Sequence, residues 1–122
     1  VYIAPGGKHM RVVKKGTDYC IKLSDEPAID GLRPCANVMY ESLENCQYDE
    51  ITCVVLTGMG ADGTKGIQGL AAHHKKLHVI AQDADTCVVY GMPKAIAQTG
   101  LVDEVVPLGS VAETITKNVG VS

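Results

Sequence analysis

Residues 56–63 of the chain read Leu56-Thr57-Gly58-Met59-Gly60-Ala61-Asp62-Gly63. The preceding run Ile51–Leu56 is apolar and rich in β-branched residues, which predicts a buried strand. Apolar residues then recur at helical spacing from Gly66 to Ala71, which predicts a helix. A strand, a glycine-rich turn and a helix in this order indicate an α/β protein. In such proteins the carboxyl ends of the strands carry the functional groups.

The pattern continues to alternate after this unit. We predict a strand at Leu77–Ala81, a short helix at Pro93–Thr99, an edge element at Val102–Val106 and a closing helix at Val111–Val119. The strands are apolar on both faces, as strands of a parallel sheet covered by helices are. The predicted fold class is therefore α/β, a doubly wound and mostly parallel sheet with helices on both faces.

The first quarter of the chain has a different pattern. Val1–Ala4 reads as a buried strand, and a domain rarely begins on a core strand, so we expect a C-terminal piece of a longer protein. His9–Val13 and Tyr19–Leu23 flank a turn signal at Lys15–Asp18, which predicts an antiparallel hairpin near the N-terminus. A loop follows, and Pro34 suits the first turn of a helix with apolar residues recurring as far as Cys46.

Composition narrows the classes of function. The 122 residues fit one domain, and a net charge of −3 gives no electrostatic reason to expect nucleic-acid binding. No apolar run approaches the roughly 18 residues of a membrane span, so no membrane insertion is expected. Five cysteines without a C-x-x-C pair indicate reduced thiols in a cytoplasmic protein.

The glycine-rich loop also supports a nucleotide-binding hypothesis. Gly58, Gly60 and Gly63 have the G-x-G-x-x-G spacing of a dinucleotide-binding turn, and Asp83 follows at a suitable distance to bind a ribose. Asp62 weakens this hypothesis, because it introduces a carboxylate where exposed N–H groups should meet a phosphate. The plainest alternative is a tight turn in which Asp62 caps a helix.

Several longer motifs resemble one family. They are Y-I-A-P-G at 2–6 followed by H-M at 9–10, R-P at 33–34, L-T-G-M-G-A-D-G at 56–63, Q-D at 82–83 and T-C-V-V-Y-G-M-P-K at 86–94. In this order they resemble the catalytic domain of the chemotaxis receptor protein-glutamate methylesterase (CheB). The resemblance implies a doubly wound fold and a Ser-His-Asp hydrolase that removes methyl groups from receptor glutamates and deamidates certain receptor glutamines.

The resemblance also implies roles for individual residues. Asp62 corresponds to the triad acid, which orients the imidazole and stabilises the imidazolium. Met59 corresponds to the position whose backbone N–H faces the oxyanion. Gly58 and Gly60 would let the loop approach the substrate. Gln82 and Met92 are expected to line the substrate cleft. The alternative for each of them is a role in packing alone.

The triad serine and histidine of the family lie upstream of residue 1. Residues 1–122 are therefore expected to be the C-terminal part of a single methylesterase domain, inactive alone, with methyl-accepting chemotaxis receptors as partners. The family pattern also allows an upstream receiver domain. No cofactor is implied. His74 and His78 have metal-ligand spacing, but no third ligand accompanies them, so no metal is expected.

One segment departs from the family pattern. Where the family usually reads H-R-P-S-V-D, residues 32–37 read L-R-P-C-A-N. This change supports a third hypothesis, a non-catalytic receptor-interaction domain descended from the esterase. Cys35 at a helix N-terminus is a setting that can lower a thiol pKa. Packing beneath a loop is the favoured interpretation of Cys35, because no histidine is placed to activate it.

Overall fold

The computed structural model describes residues 1–73 and 76–120. Two strands come first and are followed by strands that alternate with helices; a short 3-10 turn precedes the last helix. The elements are β1 His9–Lys15, β2 Asp18–Ser24, α1 Ala36–Ser42, β3 Glu50–Val55, α2 Thr64–Ala72, β4 Lys76–Gln82, α3 Met92–Ala97, β5 Glu104–Val106 and α4 Val111–Val119.

The described strands form two sheets. β1 and β2 make an antiparallel hairpin in which Val12 pairs with Ile21. β3, β4 and β5 form a parallel sheet in that order, with Cys53 opposite Val79 and Ala81 opposite Val105. The predicted parallel sheet and the predicted N-terminal hairpin are both confirmed.

Helices cover both faces of the parallel sheet. On one face Cys53 and Val55 pack with buried residues of α2 and α3, including Ile67 and Ile96. On the opposite face α4 is tied to β3 by the Thr52 hydroxyl, which donates to Asn118 Oδ1 at 2.5 Å. Alternation of side chains along β3 places these two sets on opposite faces. The doubly wound arrangement is therefore confirmed.

Helix α1 joins the hairpin to this core. The backbone N–H of Val12 donates to the Ser42 hydroxyl at 2.9 Å. On its other side α1 lies so close to α2 that a Cβ at Gly66 would stand 2.6 Å from Tyr40 Cβ. Gly66 thus permits the approach that brings the N-termini of α1 and α2 together.

The strand predicted at the start of the chain is wrong. Val1–Ala4 is not a strand, and Val1, Tyr2 and Ile3 are exposed. A strand requires a neighbour for its backbone groups, and none of the described strands pairs with this segment. None of the helices in residues 1–73 and 76–120 has the length and apolar character of a membrane span.

The predicted bounds of α1 are also wrong. Pro34 lies ahead of the helix, whose N-cap is Cys35, and the helix ends at Ser42, before Cys46. The start is set by a carboxylate from another part of the chain, Asp62, which accepts the hydrogen bonds of the first turn. A local signal in the sequence could not have shown this.

Candidate active site

The loop after β3 is held by the segment that precedes α3. The backbone N–H of Gly58 donates to the Val89 carbonyl at 3.0 Å. The Gly58 carbonyl accepts from the N–H groups of Gly91 at 3.1 Å and Met92 at 2.9 Å. The Thr57 hydroxyl completes the junction, since it accepts from Val89 N at 2.9 Å and donates to Val89 O at 3.1 Å.

Close packing explains two of the glycines at this junction. A Cβ on Gly91 would stand 2.7 Å from the carbonyl oxygen of Gly58 and 3.0 Å from the backbone nitrogen of Gly60. A Cβ on Gly58 would stand 2.5 Å from Met92 Sδ. Gly58 and Met92, both expected to line the cleft, therefore contact each other and build the loop. Gly60 is exposed, with φ +86 in the left-handed region.

Gln82 supports the loop from behind. Its side chain is only 1% exposed, so it offers no surface to a substrate. Its Oε1 accepts from Thr57 N at 2.8 Å, and its Nε2 donates to the Thr86 carbonyl at 2.8 Å. The predicted substrate contact of Gln82 is corrected to a positioning role, because the amide is buried and fully engaged at the end of β4.

Asp62 is the acidic residue of the loop, and it accepts three hydrogen bonds from residues 35–37. Its Oδ2 accepts from Ala36 N at 2.7 Å. Its Oδ1 accepts from Asn37 N at 3.0 Å and from the Cys35 thiol at 3.2 Å. A carboxylate has about four lone-pair positions. One position on Oδ2 thus has no donor among the described residues, and an imidazole N–H could occupy it.

The side chain of Asn37, on α1, binds the backbone at the start of α2. Its Oδ1 accepts from Gly63 N at 2.9 Å and from Gly66 N at 2.8 Å. The N–H of Thr64 is engaged as well, with the Ala61 carbonyl at 3.2 Å. Three N–H groups that a phosphate would need at the start of α2 are therefore already satisfied within the protein.

Asp83 is also engaged within the protein. Its Oδ1 accepts from the Thr86 backbone N–H at 3.1 Å and from the Thr86 hydroxyl at 2.5 Å. These two hydrogen bonds, three residues along the chain, shape the segment after β4. Only Oδ1 is used in this way, so the geometry opposes the nucleotide-binding hypothesis at the start of α2 and not at Asp83.

Met59 stands at the tip of the loop with its side chain 84% exposed. No acceptor among the described residues lies within hydrogen-bond distance of its backbone N–H. Met59, Gly60 and Asp62 line one surface concavity, together with Leu32 and with Lys65 of α2. An unengaged N–H and a fixed carboxylate therefore share one cleft.

The thiols near the site are not activated. Burial raises the pKa of the Cys35 thiol, and its hydrogen bond to Asp62 raises it further. The lowered pKa considered for Cys35 is therefore wrong. Burial likewise raises the pKa of Cys53 to about 11. Burial also raises the pKa of the Tyr40 hydroxyl, and the charge of Asp62 adds to that effect. These groups stay protonated at neutral pH.

No serine and histidine side chains form a hydrogen-bonded pair within residues 1–73 and 76–120. His9 is fully buried and its Nε2 lies 3.0 Å from the Pro27 carbonyl. His73 Nδ1 lies 2.8 Å from the Gly69 carbonyl. His78 Nε2 lies 2.6 Å from the Glu104 carboxylate. Each histidine that the structure describes is thus occupied away from Asp62.

His74 and His78 are the two residues with the spacing of metal ligands. His74 lies outside the described residues, so that pair has no structural test here. Across the part of the chain that the structure does describe, no three histidine, cysteine or carboxylate side chains come together as a metal site would require.

The fold and the loop together define a class of protein. It is a doubly wound α/β protein that carries an acidic residue on the turn after a parallel strand, beside an unengaged backbone N–H. The profile of one family, CheB methylesterase, matches residues 1–115. The chain belongs to the CheB methylesterase family.

Relatives and a solved structure agree with this membership. A protein-glutamate methylesterase/protein-glutamine glutaminase of Desulfotalea psychrophila is 44% identical over 120 residues, covering 97% of this chain and 32% of the relative. One from Pseudomonas aeruginosa is 39% identical, covering 93% and 32%. The crystal structure of the Thermotoga maritima CheB methylesterase catalytic domain has a TM-score of 0.86 at 33% identity, covering 95% of this chain and 60% of that one. The chain thus spans about a third of the length of its curated relatives.

Proposed function

We propose that this chain is the C-terminal part of a protein-glutamate methylesterase and glutaminase domain that acts on chemotaxis receptors. Family membership supports the activity, because the relatives carry this name. Coverage of 60% of the solved catalytic domain supports the assignment of residues 1–122 to part of one domain. The irregular spacing of the five cysteines, without a C-x-x-C pair, supports a cytoplasmic location. The greater length of the relatives leaves room for an upstream receiver domain.

Asp62 is the triad acid in this proposal. The observation that carries it is the fixed carboxylate, which has three donors from residues 35–37 and one open position on Oδ2. A histidine N–H at that position would be held in one tautomer, and its imidazolium would be stabilised as it accepts the serine proton. The serine and the histidine come from the part of the domain outside this chain.

The backbone N–H of Met59 is the oxyanion donor. Attack of the serine on the glutamyl ester carbonyl gives a tetrahedral oxyanion, which the Met59 N–H stabilises. Collapse expels methanol, and water then hydrolyses the acyl-enzyme. A glutamine side chain follows the same path with ammonia as the leaving group. The absence of any protein acceptor for this N–H among the described residues supports the assignment.

The departures at residues 32–37 do not favour a non-catalytic domain. Cys35 donates a hydrogen bond to Asp62, as a serine at that position could, and Asn37 supplies an acceptor oxygen, as an aspartate could. These hydrogen bonds therefore hold the loop in this chain with a thiol and an amide.

The experiment that tests the proposal measures methanol release from methylated receptor. This chain is compared with a form extended upstream to include the whole domain. We expect the extended form to release methanol and this chain to be inactive, because loss of triad members costs several orders of magnitude in rate. Turnover by this chain alone would contradict the shared-triad assignment. An inactive extended form that still captures receptor would favour the interaction-domain hypothesis.

A further inference from the structure

Asn37 is the residue through which the two helix N-termini are joined. Its backbone N–H donates to Asp62 Oδ1 at 3.0 Å, while its side-chain oxygen accepts from Gly63 and Gly66. The residue before Gly63 is Asp62 itself. Asn37 therefore fixes the backbone on one side of Asp62 and binds the carboxylate directly on the other.

The side chain of Asn37 also matters because it carries no charge. Its oxygen binds the backbone next to Asp62, and the Asp62 carboxylate binds the backbone of Asn37. Both groups therefore lie at the junction of α1 and α2. A second carboxylate in this place would repel the charge of Asp62 and attract a proton to any imidazole bound to it. The other titratable groups around the junction are Asp30 on the loop before α1, Cys35 and Tyr40 of the α1 region, and Lys65 on α2.

We propose that Asn37 is a positioning residue for Asp62, and that its uncharged amide sets the lower pH limit of ester hydrolysis. The amide oxygen holds the Asp62 loop in place against α1. Because this amide is neutral, no second carboxylate accepts from the N–H groups of Gly63 and Gly66 next to Asp62. This inference rests on the proposed triad role of Asp62.

The test is the pH profile of kcat/KM for the whole domain carrying Asn37→Asp. The variant keeps the acceptor oxygen for Gly63 and Gly66 and adds one negative charge. That charge raises the pKa of the imidazole that Asp62 binds, so we expect the acidic limb to move up by about half a unit to one unit. On the limb, kcat/KM falls roughly three- to tenfold, and the high-pH plateau changes little.

Asn118→Asp is the matched control. Asn118 accepts from the Thr52 hydroxyl on the other face of the sheet, so this variant also keeps an acceptor and adds one negative charge. We expect its acidic limb to coincide with that of the unmodified domain. Equal shifts in the two variants would overturn the inference, because they would reflect net charge alone.

Asn37→Ser separates the positioning effect of the side chain from the effect of its charge. It also keeps the inference testable if the Asn37→Asp variant folds poorly. The shorter side chain is uncharged and cannot span to both glycines, so kcat should fall while the acidic limb stays in place. An unchanged kcat, or a limb that moves with Asn37→Ser, would overturn the inference.

Asp62→Asn is measured in parallel. If it cripples turnover while the Asn37→Asp profile matches the unmodified domain, the role of Asn37 fails and the triad assignment stands. Full activity of Asp62→Asn would instead refute the proposed function.

Discussion

Substitution of Gly91 by alanine should displace the loop that carries the Met59 N–H. The new Cβ would stand 2.7 Å from Gly58 O, 3.0 Å from Gly60 N and 3.1 Å from Gly60 O. Ordinary contact needs about 3.5 Å, so the backbone must move by roughly 0.8 Å. All three obstructing atoms belong to the backbone, and no flexible side chain can give way instead.

The expected cost has two parts. Overpacking of this kind destabilises a protein by about 1–3 kcal/mol. Displacement of an oxyanion donor by a large fraction of an ångström should lower kcat by on the order of 10- to 100-fold, with little change in KM. The whole domain is assayed by methanol release from methylated receptor, and its free energy of unfolding is measured by urea titration.

Gly109→Ala is the control for this substitution. No atom lies within 4 Å of a Cβ built on Gly109, and its φ is not positive. Both kcat and stability should therefore remain close to those of the unmodified domain. An unchanged kcat in Gly91→Ala would refute the reasoning, because it would mean that the loop can shift without moving a group used in catalysis.

Two further predictions concern the support of the loop and the thiols. Gln82→Leu leaves Thr57 N and the Thr86 carbonyl without their buried partner, and should cost about 1–3 kcal/mol by urea titration; an unchanged midpoint would argue against the support role. At pH 8 a thiol reagent should react with two of the five cysteines in the folded protein and with all five after unfolding, because burial shields the others and raises the pKa of two of them; fast reaction of a buried thiol would contradict this. The half-buried, reactive pair is Cys20 and Cys87, and the buried set is Cys35, Cys46 and Cys53.

The parallel sheet could be predicted because its signals are local. Ile51–Leu56 is mostly apolar and rich in β-branched residues, a glycine-rich turn follows, and helical spacing resumes at Gly66. Such patterns specify an element without reference to distant residues. The hairpin was likewise predictable, since the Lys15–Asp18 turn and its flanking runs lie within a few residues of one another.

The sequence predictions failed at positions where contacts with distant residues determine the local structure. Val1–Ala4 has strand composition, but a strand also needs a pairing partner, and that information is not local. The start of α1 depends on Asp62, which lies 26 residues beyond Ala36. The orientation of Gln82 depends on Thr57, 25 residues before it. In each case composition is compatible with several arrangements, and tertiary hydrogen bonds select one.

The site was predicted only in part for the same reason. The motif placed Asp62 and Met59 on one loop, and the structure brings both to one cleft. Asn37 was noted only as a departure from the family pattern. The signal that could have found it is a polar residue at the start of a helix with an acidic residue at the start of the next, since each can cap the other. The catalytic roles themselves stay predictions.

The most direct measurement is kcat for methyl-ester hydrolysis by the whole domain carrying Asp62→Asn. The asparagine keeps the shape of Asp62 but only one acceptor oxygen, so the N–H of either Ala36 or Asn37 loses its partner, and the neutral amide cannot stabilise an imidazolium. We expect kcat to fall by roughly four orders of magnitude, with receptor binding unchanged. A variant that turns over methylated receptor at the rate of the unmodified domain would show that Asp62 is a helix cap and not the triad acid.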